Sequence, residues 1–223
     1  MRAGVPALLE QARKDGWAME PVAREILQAY DLPVTRFAWA HSLEEALQAA
    51  SALGYPLILK IVSPEVVHKS DVGGVIVGIR DEGGLKQAYQ KLEKLPGFQG
   101  VLLDQTATGI ELIVGAKQDP QFGTVVLVGI GGTPVEIYKD VSIRLAPLSE
   151  SEAADAIASI RGKALLEGFR GSRPINRDAL VNLLTRFSEA AYDLRELIES
   201  IDLNPVFCGS EIAVIADARF MLI

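Results

Sequence analysis

Cysteine occurs once in this chain of 223 residues, at Cys208, and histidine twice, at His41 and His68. One thiol excludes an internal disulfide and a thiolate metal cage, and two imidazoles exclude a histidine-rich metal site. Long apolar runs are missing too. The run from Tyr55 to Leu59 stops at Lys60, far short of the roughly 20 residues a membrane helix needs. The first residues carry charges before any apolar stretch builds up, so they read as no signal peptide. Positive charge is scarce: Lys and Arg number 22 against 29 Asp and Glu, a net charge of −7. Such a balance argues against a nucleic-acid footprint. The phosphate-loop pattern Gly-x4-Gly-Lys-Ser/Thr is absent as well. What is present, 49% hydrophobic and 23% charged residues, is enough for a sizeable core in one large domain or two small ones. The expectation is a cytoplasmic globular protein that binds neither nucleic acid nor membrane.

Residues 6–14 form a short amphipathic lead-in that ends at Asp15 and Gly16. Glu20 and Pro21 open a second helix, whose apolar stripe is Val22, Ile26, Leu27 and Tyr30. Ser42 and Glu45 have capping-box spacing before a third helix, and Gly54 closes it. Short apolar runs predict strands over Leu57 to Val62 and Val75 to Ile79, then a helix over Leu85 to Leu95. Further strands follow at Val101 to Leu103, Ile110 to Lys117 and Thr124 to Val128, with a tight turn from Asp119 to Gly123. Ser149 with Glu152 and, later, Asn176 cap two more helices before final strands at Ile201 to Phe207 and Ile212 to Ala216. The glycines at 129, 131 and 132 superficially resemble a dinucleotide fingerprint. Pro134 to Tyr138 reads as a strand, however, not as the helix such a site requires. Clustered strands with helices between them indicate an α+β fold with helices on one face of antiparallel sheets. A polar stretch from Thr106 to Gly109 suggests a break in the region of residues 100–108.

Four places could carry chemistry. The loop from His68 to Gly74 combines an imidazole, a lysine, a hydroxyl, a carboxylate and two glycines. Glycines let backbone N–H groups approach an anion, and a neutral imidazole can accept a phosphoryl group, though composition alone favours a plain solvated turn. Lys60 interrupts an apolar strand, and alternation leaves open whether it faces solvent or a phosphate. Asp140 and Arg144 share one strand face, either as an ion pair or with the guanidinium free to clamp a phosphate. If Cys208 to Glu211 is the last turn, Asn204 lies opposite Ile215. Asp217 is then its diagonal neighbour, about 7–8 Å away, with Asp202 on the same face. Oxygen ligands on one sheet face suit Mg²⁺, and an ordinary solvated face fits them equally well.

Taken in order, the segments Leu59 to Pro64, His68 to Val75, Asp119 to Gly123, Arg144 to Pro147 and Asp202 to Pro205 resemble the ATP-grasp part of ADP-forming acyl-CoA synthetases. The likeness runs from about Glu20 to the C-terminus. It implies an ATP-grasp fold, two α+β subdomains clasping the nucleotide, roughly residues 20–103 and 104–223, behind a lead-in at residues 1–19. It also implies ATP/ADP and Mg²⁺ as cofactors. In that family pattern Lys60 contacts nucleotide phosphates, Leu103 to Gln105 forms the adenine-side hinge and Glu111 faces the ribose. Arg144 meets the terminal phosphate, while Asn204 and Asp217 hold Mg²⁺. His68 corresponds to the loop histidine that relays phosphate, with Gly73 and Gly74 as its hinge. The implied partner is a CoA-binding Rossmann-type subunit or domain, through which the carboxylic acid and CoA are handled. Gln105 departs from the pattern, standing where many relatives have glutamate. The alternative is a nucleotide-sensing regulatory module of a fused protein acetyltransferase; another kind of ATP-grasp ligase fits the His68 loop less well.

Overall fold

The computed structural model describes residues 1–132, 140–168 and 173–223. The strand expected from Pro134 to Tyr138 lies outside them. The chain divides into two compact units. The larger holds residues 1–18, 22–34 and 107–223, and the smaller holds 19–21 and 35–106. The chain passes from one unit to the other after Ala18, Pro21, Val34 and Thr106, and the smaller unit contains only part of residues 20–103.

In chain order, helix α1 (Val5–Ala12) and the short strand β1 (Trp17–Ala18) precede helix α2 (Glu20–Ala29). Strand β2 (Phe37–Ala40), helix α3 (Leu43–Leu53), strands β3 (Leu57–Ile61) and β4 (Val75–Ile79), helix α4 (Glu82–Leu92) and strand β5 (Val101–Gln105) make up the smaller unit. Its sheet runs β2-β5-β3-β4, antiparallel throughout. One apolar cluster joins Leu57, Leu59, Ile61, Val101 and Leu103 of the strands to Ala46, Ala50, Leu85 and Leu92 of the two helices. Sequence signals at the helix ends are realised locally. The Ser42 hydroxyl accepts the Glu45 N–H, while the Glu45 carboxylate reaches one residue beyond the expected box, to the His41 N–H. Asp81 caps α4, so that helix starts and stops about a turn earlier than apolar spacing suggested.

The larger unit continues with strands β6 (Ile110–Asp119), β7 (Gly123–Ile130) and β8 (Val141–Leu145). Helices α5 (Glu150–Ala158) and α6 (Arg177–Asp193) and strands β9 (Ile198–Cys208), β10 (Ala213–Ile215) and β11 (Arg219–Leu222) follow. Among the described residues its sheet has seven strands in the order β1-β11-β9-β6-β7-β8, with β10 on β9 beside β11. Leu112, Val114, Val126, Val128, Leu203 and Phe220 point to one face, where they pack with Leu180, Leu184 and Phe187 of α6 and with Ile26 and Leu27 of α2. Val5, Leu9 and Ala12 enter the same cluster, so residues 1–18 are part of this core and not a lead-in outside it. The β6–β7 turn follows the sequence reading. The Asp119 carboxylate accepts the N–H groups of Phe122 and Gln121, each at 2.9 Å, and these bonds hold its carboxyl below the usual range. Ser149 and Glu152 form a complete capping box, and the Asn176 side chain accepts the Ala179 N–H.

Cys208 sits in β9 at 1% exposure, and burial pushes its thiol up to about 12. In the unfolded chain a thiol ionises near 8.5. This residue therefore contributes stability that is complete below that pH and is lost as pH rises from about 8.5 towards 12. Native protein at pH 8 should react slowly with a thiol-specific disulfide reagent and fully once unfolded in urea; rapid labelling of the native state would contradict this burial.

Candidate functional site

In the smaller unit the site is an ion network around Lys60. Lys60 is the fourth of the five residues of β3 and is 5% exposed. Its Nζ lies 2.7 Å from Glu20 Oε1 and 3.1 Å from Asp104 Oδ2, with Glu20 and Asp104 themselves at 4% and 1% exposure. The second oxygen of Glu20 meets Lys69 Nζ at 2.8 Å, and the Thr35 hydroxyl donates to Asp104 Oδ1 at 2.5 Å. One carboxylate thus spans the strand lysine and the lysine that follows His68. Buried charges persist where each is paired and hydrogen-bonded, as here.

His68 is exposed at the start of a short 3₁₀ turn, Lys69–Val72, closed by Gly73 in the left-handed conformation. Gly74 was expected to act as a hinge. Its N–H donates to the Lys69 carbonyl at 2.7 Å, and a Cβ there would come within 2.7 Å of the Ile61 side chain. Close approach, not freedom, is what requires this glycine.

The expected adenine-side hinge at Leu103 to Gln105 is corrected by the sheet. Leu103 has no exposed surface, and its backbone lies between Ala38 of β2 and Leu59 of β3. The Gln105 side chain donates to the Leu53 carbonyl at 2.6 Å. These residues are committed to the core and the ladder.

In the larger unit the site is a sheet face. Ala213 and Ile215 face Cys208 and Val206, and Arg219 faces Asp202. Both pairings have the same offset, which, carried through residues 216–218 between them, matches Asp217 with Asn204. The Ala216 N–H donates to the Pro205 carbonyl at 3.0 Å, in step with that register. The expected pairing of Asn204 with Ile215 is corrected by two residues. Apolar Cys208 stays in the ladder, and the turn spans Gly209 to Ile212, closed by the Gly209 N–H on the Ile212 carbonyl. The fully buried Arg24 donates a short hydrogen bond to the Ala216 carbonyl and so braces the backbone beside Asp217.

Asn204 is exposed and Asp217 half-buried, whereas Leu203 and Ala218 between their neighbours are buried. Asp202, Asn204, Asp217 and Arg219 therefore share the face turned away from the helices. Glu111, exposed on β6 and flanking buried Leu112, shares it too. Arg144 does not. It pairs with buried Val126, and its guanidinium donates to Ser159 Oγ at the end of α5, at 2.8 Å, and to the Ile143 carbonyl at 2.9 Å. The phosphate contact expected of Arg144 is corrected accordingly: strand parity turns it to the helix-covered face. Nor does it pair with Asp140, whose carboxylate accepts the Arg161 and Gly162 N–H groups at 2.8 and 2.7 Å.

Asn204 and Asp217 fit a magnesium ion on chemistry. Both present hard oxygen atoms at adjoining positions, and Mg²⁺ takes one or two protein ligands, keeping the rest for water and phosphate. Among the described residues no three His, Cys, Asp or Glu side chains gather as a metal cage. Sequence reading missed Glu20, Thr35 and Asp104 as members of the lysine network. The Glu20-Pro21 pair was legible only as a helix start, a role that hides a carboxylate aimed elsewhere.

Removing Lys60 would take one cation from two buried carboxylates. Lys60→Met should cost about 3–5 kcal/mol of stability, measured by denaturant unfolding at pH 7. Adding Asp104→Asn should recover part of that loss. A cost below about 1 kcal/mol would show that the network carries little.

The ATP-grasp domain family matches residues 10–222. The β subunit of ADP-forming acetate–CoA ligase I from Pyrococcus furiosus is 38% identical over 224 residues, covering 96% of each chain. ADP-forming acetate–CoA ligase II from Archaeoglobus fulgidus is 38% identical over 92% of this chain but 30% of its own longer one. The acetyl-coenzyme A synthetase 1 of Ca. Korarchaeum cryptofilum has been solved with coenzyme A and Mg-AMPPCP, its phosphohistidine segment pointing towards the nucleotide binding site. That chain superposes with a TM-score of 0.88 at 38% identity, covering 99% of this chain and 100% of that one. Among the described residues no helix is long and apolar enough to cross a membrane. By the length of the match, its identity and the fold, this chain belongs to the ATP-grasp family, among the β subunits of ADP-forming acetate–CoA ligases.

Proposed function

We propose that this chain is the nucleotide-binding component of a cytoplasmic ADP-forming acyl-CoA synthetase, acid + CoA + ATP ⇌ acyl-CoA + ADP + phosphate. The observation that supports the reading is the common offset of the paired stretches that flank Asn204 and Asp217, two residues on the sheet face that also carries Glu111. Asn204 and Asp217 would hold Mg²⁺, which when bound neutralises phosphate charge. Glu111 would face the ribose, and Lys60 would take a phosphate as a further partner beside Glu20 and Asp104. His68 serves as the relay: its imidazole nitrogen bonds to the terminal phosphorus as the bond from that phosphorus to the ADP oxygen breaks, and ADP leaves. Support comes from the exposed placement of His68 and from the phosphohistidine segment of the K. cryptofilum enzyme. The A. fulgidus relative carries more than twice this length in further chain. We read that surplus as the counterpart of a separate CoA-binding, Rossmann-type partner that handles the acid and CoA.

Calorimetry tests the reading on the chain alone. Mg-ADP should bind at one site, and Asp217→Asn should weaken it by about tenfold or more, each tenfold being 1.4 kcal/mol. A folded chain that binds no nucleotide contradicts the reading. His68→Ala should bind Mg-ADP as the unaltered chain does, yet fail to form acyl-CoA when the CoA-binding partner is added. Full turnover by that variant removes His68 from the mechanism.

A further inference from the structure

We propose that Arg219, a residue outside every segment that carries the family resemblance, grips the phosphate tail of the nucleotide. This rests on the nucleotide reading above. Arg219 opens β11 two positions after Asp217, with buried Ala218 between them, so the two side chains leave the sheet on the same side. Its register partner is Asp202, and the guanidinium lies 3.3 Å from that carboxylate. Arg219 faces Asp202, and the same offset carried inward matches Asp217 with Asn204. Arg219 thus faces a residue two positions from Asn204 on β9, on the side of the sheet where Asn204 and Asp217 would hold a metal.

Charge on this face makes a cation necessary. Glu111, Asp202 and Asp217 all present carboxylates here, and a polyphosphate laid over them needs positive charge at the same place. A guanidinium offers planar, paired N–H donors that match phosphate oxygens two at a time. Its pairing with Asp202 is partly exposed, at 26% and 40% for the two side chains, the kind of ion pair that water screens and a phosphate can displace. Gly115, the partner of Asp202 on β6, puts no side chain over the pair. Arg144 lies on the opposite face, where its guanidinium donates to Ser159. The arginine expected at the phosphate is therefore supplied by β11.

The test compares Mg-AMPPCP with AMP by calorimetry on the full chain. Arg219→Gln should weaken Mg-AMPPCP by about tenfold or more and AMP by less than about twofold, because the lost donors face the β and γ phosphates. Arg219→Lys should restore part of the loss, and Arg144→Gln should bind both ligands as the unaltered chain does. Asp202→Asn breaks the same ion pair but keeps the arginine. It should leave Mg-AMPPCP binding intact or tighter, a result that a purely structural role for the pair does not give. Equal binding of Mg-AMPPCP by Arg219→Gln and the unaltered chain overturns the inference while the nucleotide reading stands. So does an equal loss of both ligands. If the unaltered chain binds neither, the nucleotide reading falls and this inference with it.

Discussion

Strand β9 is paired along both edges, with β6 on one and with β10 and then β11 on the other. Its register against β10 and β11 does not change across the three residues that separate those two strands. A slip of one residue would turn Leu203 and Phe220 out of the core and bury Asp202 and Asn204 instead, so apolar burial holds the register firmly. Each of those core side chains is worth about 1.5–3 kcal/mol of transfer free energy. Asn204 and Asp217 are thus held in place by the buried residues that flank them, Leu203 and Val206 on β9 and Ile215 and Ala218 on the other side. Arg24 adds a second restraint at Ala216.

The smaller unit positions its charges by a different device. Lys60 is held in an apolar sheet by carboxylates from two separate segments, and Glu20 extends the same network to the turn that carries His68. A buried ion cluster of this kind adds little net stability over an apolar replacement, but its geometry is stringent because every member depends on the others. It presents the lysine in one orientation. It also ties that orientation to the placement of the 3₁₀ turn, which Gly74 presses against Ile61.

Much of this was legible from residue order. Helix caps at Ser42, Ser149 and Asn176 and the Asp119 turn are local hydrogen-bond chemistry, and local chemistry is written in adjacent residues. The α+β class followed from clustered strands. Three features were hidden because they depend on pairing over long sequence distance. The face of Arg144 is decided by its partner Val126, not by spacing within its own strand. The last turn shifted by one residue, and the register by two, because Cys208, short and apolar, is better kept in the ladder than spent in a bend. Strands β1 and β11 were missed since each is too short to show alternation, and they exist through each other, Trp17 against Met221. The resemblance pointed to Asn204, Asp217 and His68, while Glu20 and Asp104 had no signal beyond a helix start and a polar strand end.

The account as a whole depends on a divalent ion and a nucleotide meeting at the β9–β11 face. Paramagnetic broadening offers the most direct view of that meeting, with Mn²⁺ and ADP added to isotope-labelled protein and amide signals followed by residue. The account predicts broadening centred on Asn204 and Asp217, reaching Asp202, Gly115 and Arg219, and absent without ADP at low Mn²⁺. Broadening centred instead at an acidic turn such as Asp119, with signals of β9 and β11 unchanged, would contradict it.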